Sequence, residues 1–306
     1  MRKIFFTFVF ALLSASYSFT WHPSYTLSSP YYTDKPFVYR ALVPALSGST
    51  GLSIEVIVLL FCIALGMTML AIYEKHWRQS FWNDILLIVS FSTTVLVLEL
   101  YKKTYDIPTA FFFTLIIHLW MEKKYLLSIP VFILSCLNRE TTAILIPVFI
   151  VLHRNALVAV AYSVSWGFVK FIMVIAFGDS GGRTVYIRPL NNIISYISNP
   201  YWSIILIATT AILLILFLMN KPKTFNYILL LFPILLGMHV IAGAPFEIRV
   251  FAEIMPILFM GAFLKGGVSE KIKEEVEKVP PMQGYKENLI SRRGVGRCGN
   301  IRYIQK

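Results

Sequence analysis

Ten apolar runs, at about residues 4–21, 52–73, 83–101, 107–121, 125–137, 141–152, 156–177, 202–219, 226–243 and 250–264, take up most of this chain. Nothing else constrains its fold as strongly. Inside a bilayer there is no water to bond an exposed N–H or C=O. A run that crosses must therefore satisfy its own backbone, as an α-helix does. The composition agrees. Hydrophobic residues make up 57% of the sequence and charged residues only 14%, with a mean hydropathy of +0.68. A soluble domain of this size needs far less apolar surface. The expected fold is all-α: a polytopic helical integral membrane protein of about ten transmembrane or re-entrant helices over residues 1–265. A basic, loosely ordered tail follows over 266–306. No internal repeat is visible.

The net charge of +12 does not point to nucleic acid, because no basic-aromatic patch lies on a soluble domain. Loops and a tail at an anionic membrane face explain it better. With the N-terminus inside, Arg2, Lys3, Lys75, Arg78, Lys123, Lys124, Arg154, Lys221 and Lys223 are cytoplasmic. The stretch from Lys265 to Lys306, with ten basic and five acidic residues, joins them. That bias places both termini in the cytoplasm. The N-terminus itself has two readings. Arg2-Lys3 followed by Ile4–Leu13 and small residues suits a signal peptide, and it suits an uncleaved first helix running to Trp21, which is the preferred reading. Either way the following loop is extracytoplasmic. Three cysteines (Cys62, Cys136 and Cys298) at no metal-binding spacing indicate neither a disulfide framework nor a zinc site. There is no Asn-x-Ser/Thr acceptor, in keeping with a bacterial or phage source and an inner (plasma) membrane location.

Outer loops hold Lys35, Arg40, Lys102, Lys103, Arg139, Arg183, Arg188 and Arg249, and topology alone gives no reason for so many cations there. The stretch "SCLNRETTAILIPVF" (135–149) is the sharpest case, since Asn138, Arg139 and Glu140 interrupt two apolar runs. As one long helix, 125–152 would put Arg139 at mid-membrane and turn the basic tail outward. A hairpin is expected instead. Each leg of about 13 residues rises only about 20 Å against a hydrocarbon core of about 30 Å. The tip therefore lies below the surface, in buried protein or in a water-filled cavity.

Asp34, Glu99, Asp106, Glu140 and Glu247 share this outer face with those cations, with Glu253 one turn further in. Arg139 and Glu140 are adjacent, so their side chains diverge and each must find partners on other segments. Arg40, Arg139, Arg188 and Arg249 are suited to phosphate oxygens. Asp34, Asp106, Glu140 and Glu247 could serve as a base, hold a metal or balance the arginines. Aromatic residues of the first loop (Trp21, Tyr25, Tyr31, Tyr32, Phe37 and Tyr39) suit an interfacial belt or a sugar ring. Plain structural readings stand beside these. Asp34 before Pro36 is an ordinary loop acid, Arg40 and Lys170 snorkel, and Asp106 caps the helix beginning near Pro108. Arg139 and Glu140 then belong to buried salt bridges, and His118 and His239 are packed core residues.

The segments "DKPFVYRALVPAL", "YDIPTAFFFTLIIHL", "LNRETTAILIPVF" and "FEIRVFAEIMPIL" resemble, in order and spacing, those of bacterial membrane proteins similar to the GT-C superfamily. The resemblance covers residues 1–265 and implies glycosyl transfer from a polyprenyl-phosphate-linked sugar on the extracytoplasmic face. It implies Asp34 as base. Arg139, Arg249 and Arg40 would stabilise the departing lipid phosphate, and Glu140 and Glu247 would orient those arginines or bind a divalent ion. The family often has paired acids in the first loop, whereas here Asp34 is followed by Lys35, which leaves the metal open. Implied partners are a lipid-linked sugar and membrane lipids. A transporter, flippase or polymerase for an anionic lipid-linked saccharide is the second class. A non-catalytic membrane subunit of a polysaccharide assembly complex is the third.

Overall fold

A computed structural model describes residues 2–20, 41–99, 106–153, 155–177, 189–201, 251 and 253–264, with scattered positions between 204 and 237. Every regular element among them is helical. The helices are α1 (Arg2–Thr20), α2 (Leu42–Thr50), α3 (Ile54–His76), α4 (Phe81–Glu99), α5 (Asp106–Met121), α6 (Tyr125–Asn138), a 3-10 turn over Glu140–Ile144, α7 (Leu145–His153), α8 (Ala156–Phe177), α9 (Pro189–Ser198) and α10 (Met255–Phe263). The tail lies outside the described residues.

Among the described residues three helices are long and apolar enough to cross a membrane: Ile54–His76, Phe81–Leu98 and Ala156–Phe177. Local chemistry sets their ends. Ser53 caps α3 by accepting a hydrogen bond from the Val56 N–H at 3.4 Å, with Glu55 in the first turn and Lys75 and His76 in the last. On α8, Leu157, Val160, Val164, Phe168, Phe171 and Ile175 form one stripe at helical spacing and are all exposed. In water such a stripe is a liability. In lipid it is the natural outer face of a bundle. The protein is thus an all-α membrane protein.

Between helices in lipid there is little hydrophobic drive, so close packing holds them together. α1 lies on α3 and α4, α3 on α5, α5 on α6, and α6 on α8, while α10 returns to pack on α4 and α5. Gly66 of α3 lets Phe10 of α1 approach: a Cβ at Gly66 would lie 2.7 Å from the Phe10 ring. Phe10 in turn meets Phe91 of α4 with ring centroids 4.6 Å apart.

Residues 125–152 form the expected fold-back. Tyr125, at the start of α6, lies beside His153, at the end of α7, with Tyr125 Oη and His153 Nδ1 3.2 Å apart. One continuous helix would separate those residues by about 42 Å. The two legs close on an aromatic cluster in which Trp120 Nε1 donates to Tyr162 Oη at 2.8 Å and Phe132 stacks on Tyr162 at 4.4 Å. Two short helices, α2 and α9, stand where the sequence suggested loops.

The ion pairs gather at two ends of the bundle. One end carries the Arg2–Asp84, Lys3–Glu74 and Lys75–Glu122 ion pairs. Arg2 also lies over the Tyr73 ring at 5.1 Å, and Tyr73 Oη donates to Asp84 Oδ1 at 2.7 Å. The other end holds the start of α5, the tip between α6 and α7, and Glu253.

Candidate functional site

Asp106 opens α5, where the unpaired N–H groups of a helix start favour an acid. Its side chain is nevertheless fully buried. Arg139 follows the last residue of α6 in an extended conformation (φ −158°, ψ 136°). Its N–H closes α6 on the Ser135 carbonyl at 2.8 Å. Its carbonyl accepts from Thr142 Oγ1 at 2.9 Å, and Ser135 Oγ and Thr142 Oγ1 lie 2.8 Å apart. The tip is thus clamped by its own hydroxyls. That clamp ends one helix, starts the 3-10 turn and sends neighbouring side chains in different directions.

Arg139 points into the bundle. Its Nη1 lies 3.2 Å from Glu253 Oε1 and 3.8 Å from Asp106 Oδ1. Both are ion-pair contacts, the one to Glu253 the closer. Arg139 is 7% exposed, and Glu253 and Asp106 are at 0%. Polar neighbours extend the cluster. Asn138 Nδ2 donates to Thr109 Oγ1 at 2.8 Å, tying α6 to α5. Thr141 Oγ1 donates to Glu253 Oε1 at 2.8 Å, tying the tip to the start of α10. A guanidinium buried beside two carboxylates is compensated where a lone charge would not be.

Glu140 goes elsewhere. Its Oε1 accepts from Lys170 Nζ of α8 at 3.4 Å, and both side chains are partly exposed, at 26% and 30%. A small cleft lined by Cys136, Glu140, Trp166, Val169, Lys170 and Met173 surrounds the pair. The structure therefore brings Arg139 and Asp106 together and separates Glu140 from them. Lys170 is held by Glu140, and His118 sits half-buried in α5. Asp34, Arg40, Glu99, Arg183, Arg188, His239, Glu247 and Arg249 lie outside what the structure describes, Glu99 by its side chain alone.

Glu253, which the sequence did not place among the four candidate acids, is a member of the cluster. Its signal was an acid inside the apolar run 250–264, where a charge survives only with a partner. Among the described residues no group of three His, Cys, Asp or Glu side chains could hold a metal. Arg139 already bridges Asp106 and Glu253, the place a cation would take between them.

At the opposite end, the Lys75 ammonium bonded to Glu122 holds that carboxyl below the usual range. No family model, curated protein or solved structure matches the chain.

Proposed function

We propose that the protein transfers a sugar from a polyprenyl-phosphate-linked donor to an acceptor hydroxyl on the extracytoplasmic face of a bacterial inner membrane. About ten transmembrane or re-entrant helices carry it, with both termini cytoplasmic. The supporting observation is a convergence. Three of the four segments that resemble the GT-C superfamily contribute Asp106, Arg139 and Glu253 to one buried ionic cluster at one end of the bundle. In this reading the acceptor oxygen attacks the anomeric carbon, the sugar–phosphate bond breaks, and Asp34 takes the hydroxyl proton. Arg139, with Arg40, Arg188 and Arg249, stabilises the charge building on the departing lipid phosphate. Asp106 and Glu253 orient the guanidinium of Arg139, the role first expected of Glu140. Glu140 and Glu247 then act on the acceptor side or on other cations.

One observation favours a second reading. Arg139 is almost wholly covered and already meets two carboxylates. That suits a structural ion triad in a non-catalytic subunit of a polysaccharide assembly complex. Titrating polyprenyl phosphate into nanodisc-embedded protein separates the two. The parent should gain thermal stability in a saturable way. Arg139→Lys, which keeps the charge and loses the planar fork, should bind at least about tenfold more weakly, a difference of about 1.4 kcal/mol. A parent unmoved by the lipid phosphate would overturn the transferase reading and leave the structural triad.

A further inference from the structure

Among the described residues, none covers one face of α9. Leu190, Ile193, Ile194 and Ile197 recur at helical spacing on one side, and they are 67%, 45%, 51% and 73% exposed. Asn191, Ser195 and Ser198 lie off that stripe. The helix has 10 residues, about 15 Å, half of what a bilayer crossing requires. Its last turn is closed by the Asn199 N–H on the Ser195 carbonyl at 3.1 Å, and Asn199 Nδ2 reaches the same carbonyl at 3.0 Å. After this single non-helical residue the described positions between 200 and 215 are helical again. Large apolar residues further along the chain are exposed as well: Tyr201 (82%), Ile204 (64%), Ile207 (67%), Ile212 (57%) and Ile215 (55%).

The geometry points to the boundary between lipid headgroups and acyl chains as the surface that covers α9, which lies there as an interfacial amphipathic helix. Two requirements select that boundary. Four large apolar residues on one side of α9 favour leaving water, and exposed apolar residues follow it in the chain. The amide and hydroxyl groups on the other side need hydrogen-bond partners, which the hydrocarbon interior lacks. Only the interface offers both within the width of one helix. α8, which precedes α9 in the chain, likewise exposes Phe168, Phe171 and Ile175 toward its end. The same apolar medium thus lies on both sides of the connection. This inference is independent of the catalytic reading.

The test places an environment-sensitive NBD fluorophore on single cysteines, Ile193→Cys and Asn191→Cys, in the full chain with Cys298→Ser. The remaining Cys62 and Cys136 are buried. A second pair, Ile197→Cys and Ser198→Cys, covers the case in which one label disturbs folding. The protein is held as one copy per nanodisc of phosphatidylcholine and phosphatidylglycerol. Nitroxides sit either near the lipid glycerol or at the acyl-chain end. The expected result is a blue-shifted label at 193, quenched about twofold or more by the shallow nitroxide over the deep one, with a water-like label at 191. Water-like emission at both positions would overturn the proposal. So would a shielded label at 193 that neither lipid nitroxide quenches, because protein would then cover the face. Preferential quenching by the deep nitroxide at both positions would place α9 in the hydrocarbon and overturn it too.

Discussion

Arg139 and Glu140 are neighbours in sequence with opposite environments, and their substitutions should differ accordingly. Arg139→Gln leaves Asp106 and Glu253 buried without their shared cation. The expected loss is about 3–5 kcal/mol, read from chemical unfolding in detergent or nanodiscs. If the cluster serves only stability, adding Asp106→Leu and Glu253→Leu to Arg139→Met should recover much of that loss. If the cluster binds lipid phosphate, the triple variant should fold and no longer respond to polyprenyl phosphate. Glu140→Gln breaks a partly exposed pair and should change stability by less than about 1 kcal/mol. At the opposite end, Lys75 holds the Glu122 carboxyl below its ordinary range. Their pairing stabilises the fold above the ordinary carboxylate pKa and is lost as pH falls through the lowered value. A pH series of unfolding midpoints should lose that acid-side slope in Lys75→Met; an unchanged slope would show that the pair contributes nothing.

Among the elements, α1 and the α5–α6 turn make the clearest demands. Phe10 sits against Gly66 with no space for a Cβ and has Phe91 behind it. Gly66→Ala should therefore cost about 1–3 kcal/mol by overpacking, and Phe10→Leu on the same chain should return part of it. Equal stability for Gly66→Ala and the parent would mean that α1 does not pack there. The turn between α5 and α6 holds Lys123 at φ 57°, a left-handed conformation that costs a side chain about 1–2 kcal/mol. Lys123→Gly should be neutral or mildly stabilising in a thermal unfolding assay, and the β-branched Lys123→Ile should be clearly destabilising.

For the whole molecule, orientation in the membrane is the testable property. Arg2, Lys3, Lys75, Lys123 and Lys124 gather at one end of the bundle, and the Arg139 cluster lies at the other. The orientation proposed above, by the positive-inside rule, would send the first end to the cytoplasm. With Cys298→Ser as background, a membrane-impermeant maleimide should label Ser49→Cys from outside and Lys124→Cys only after the membrane is opened. The reverse pattern would turn the Arg139 cluster to the cytoplasm and remove the extracytoplasmic reading. Much of this architecture was legible in the chain itself. Apolar runs of 156–177 and 125–137 became helices with nearly those ends, because a backbone in lipid has few other ways to satisfy its own hydrogen bonds. The Asn-Arg-Glu interruption marked a hairpin tip for the same reason. The chain also required Arg139 and Glu140 to find separate partners, since adjacent side chains diverge. It could not say which partners. Thr141 meets Glu253 across 112 residues of sequence, and Arg139 meets the same acid because α10 returns to pack on α4 and α5. Likewise Glu140 meets Lys170 because α6 lies on α8. Backbone satisfaction and burial act locally and are written along the sequence; the pairing of charges from distant segments is decided only when the helices pack.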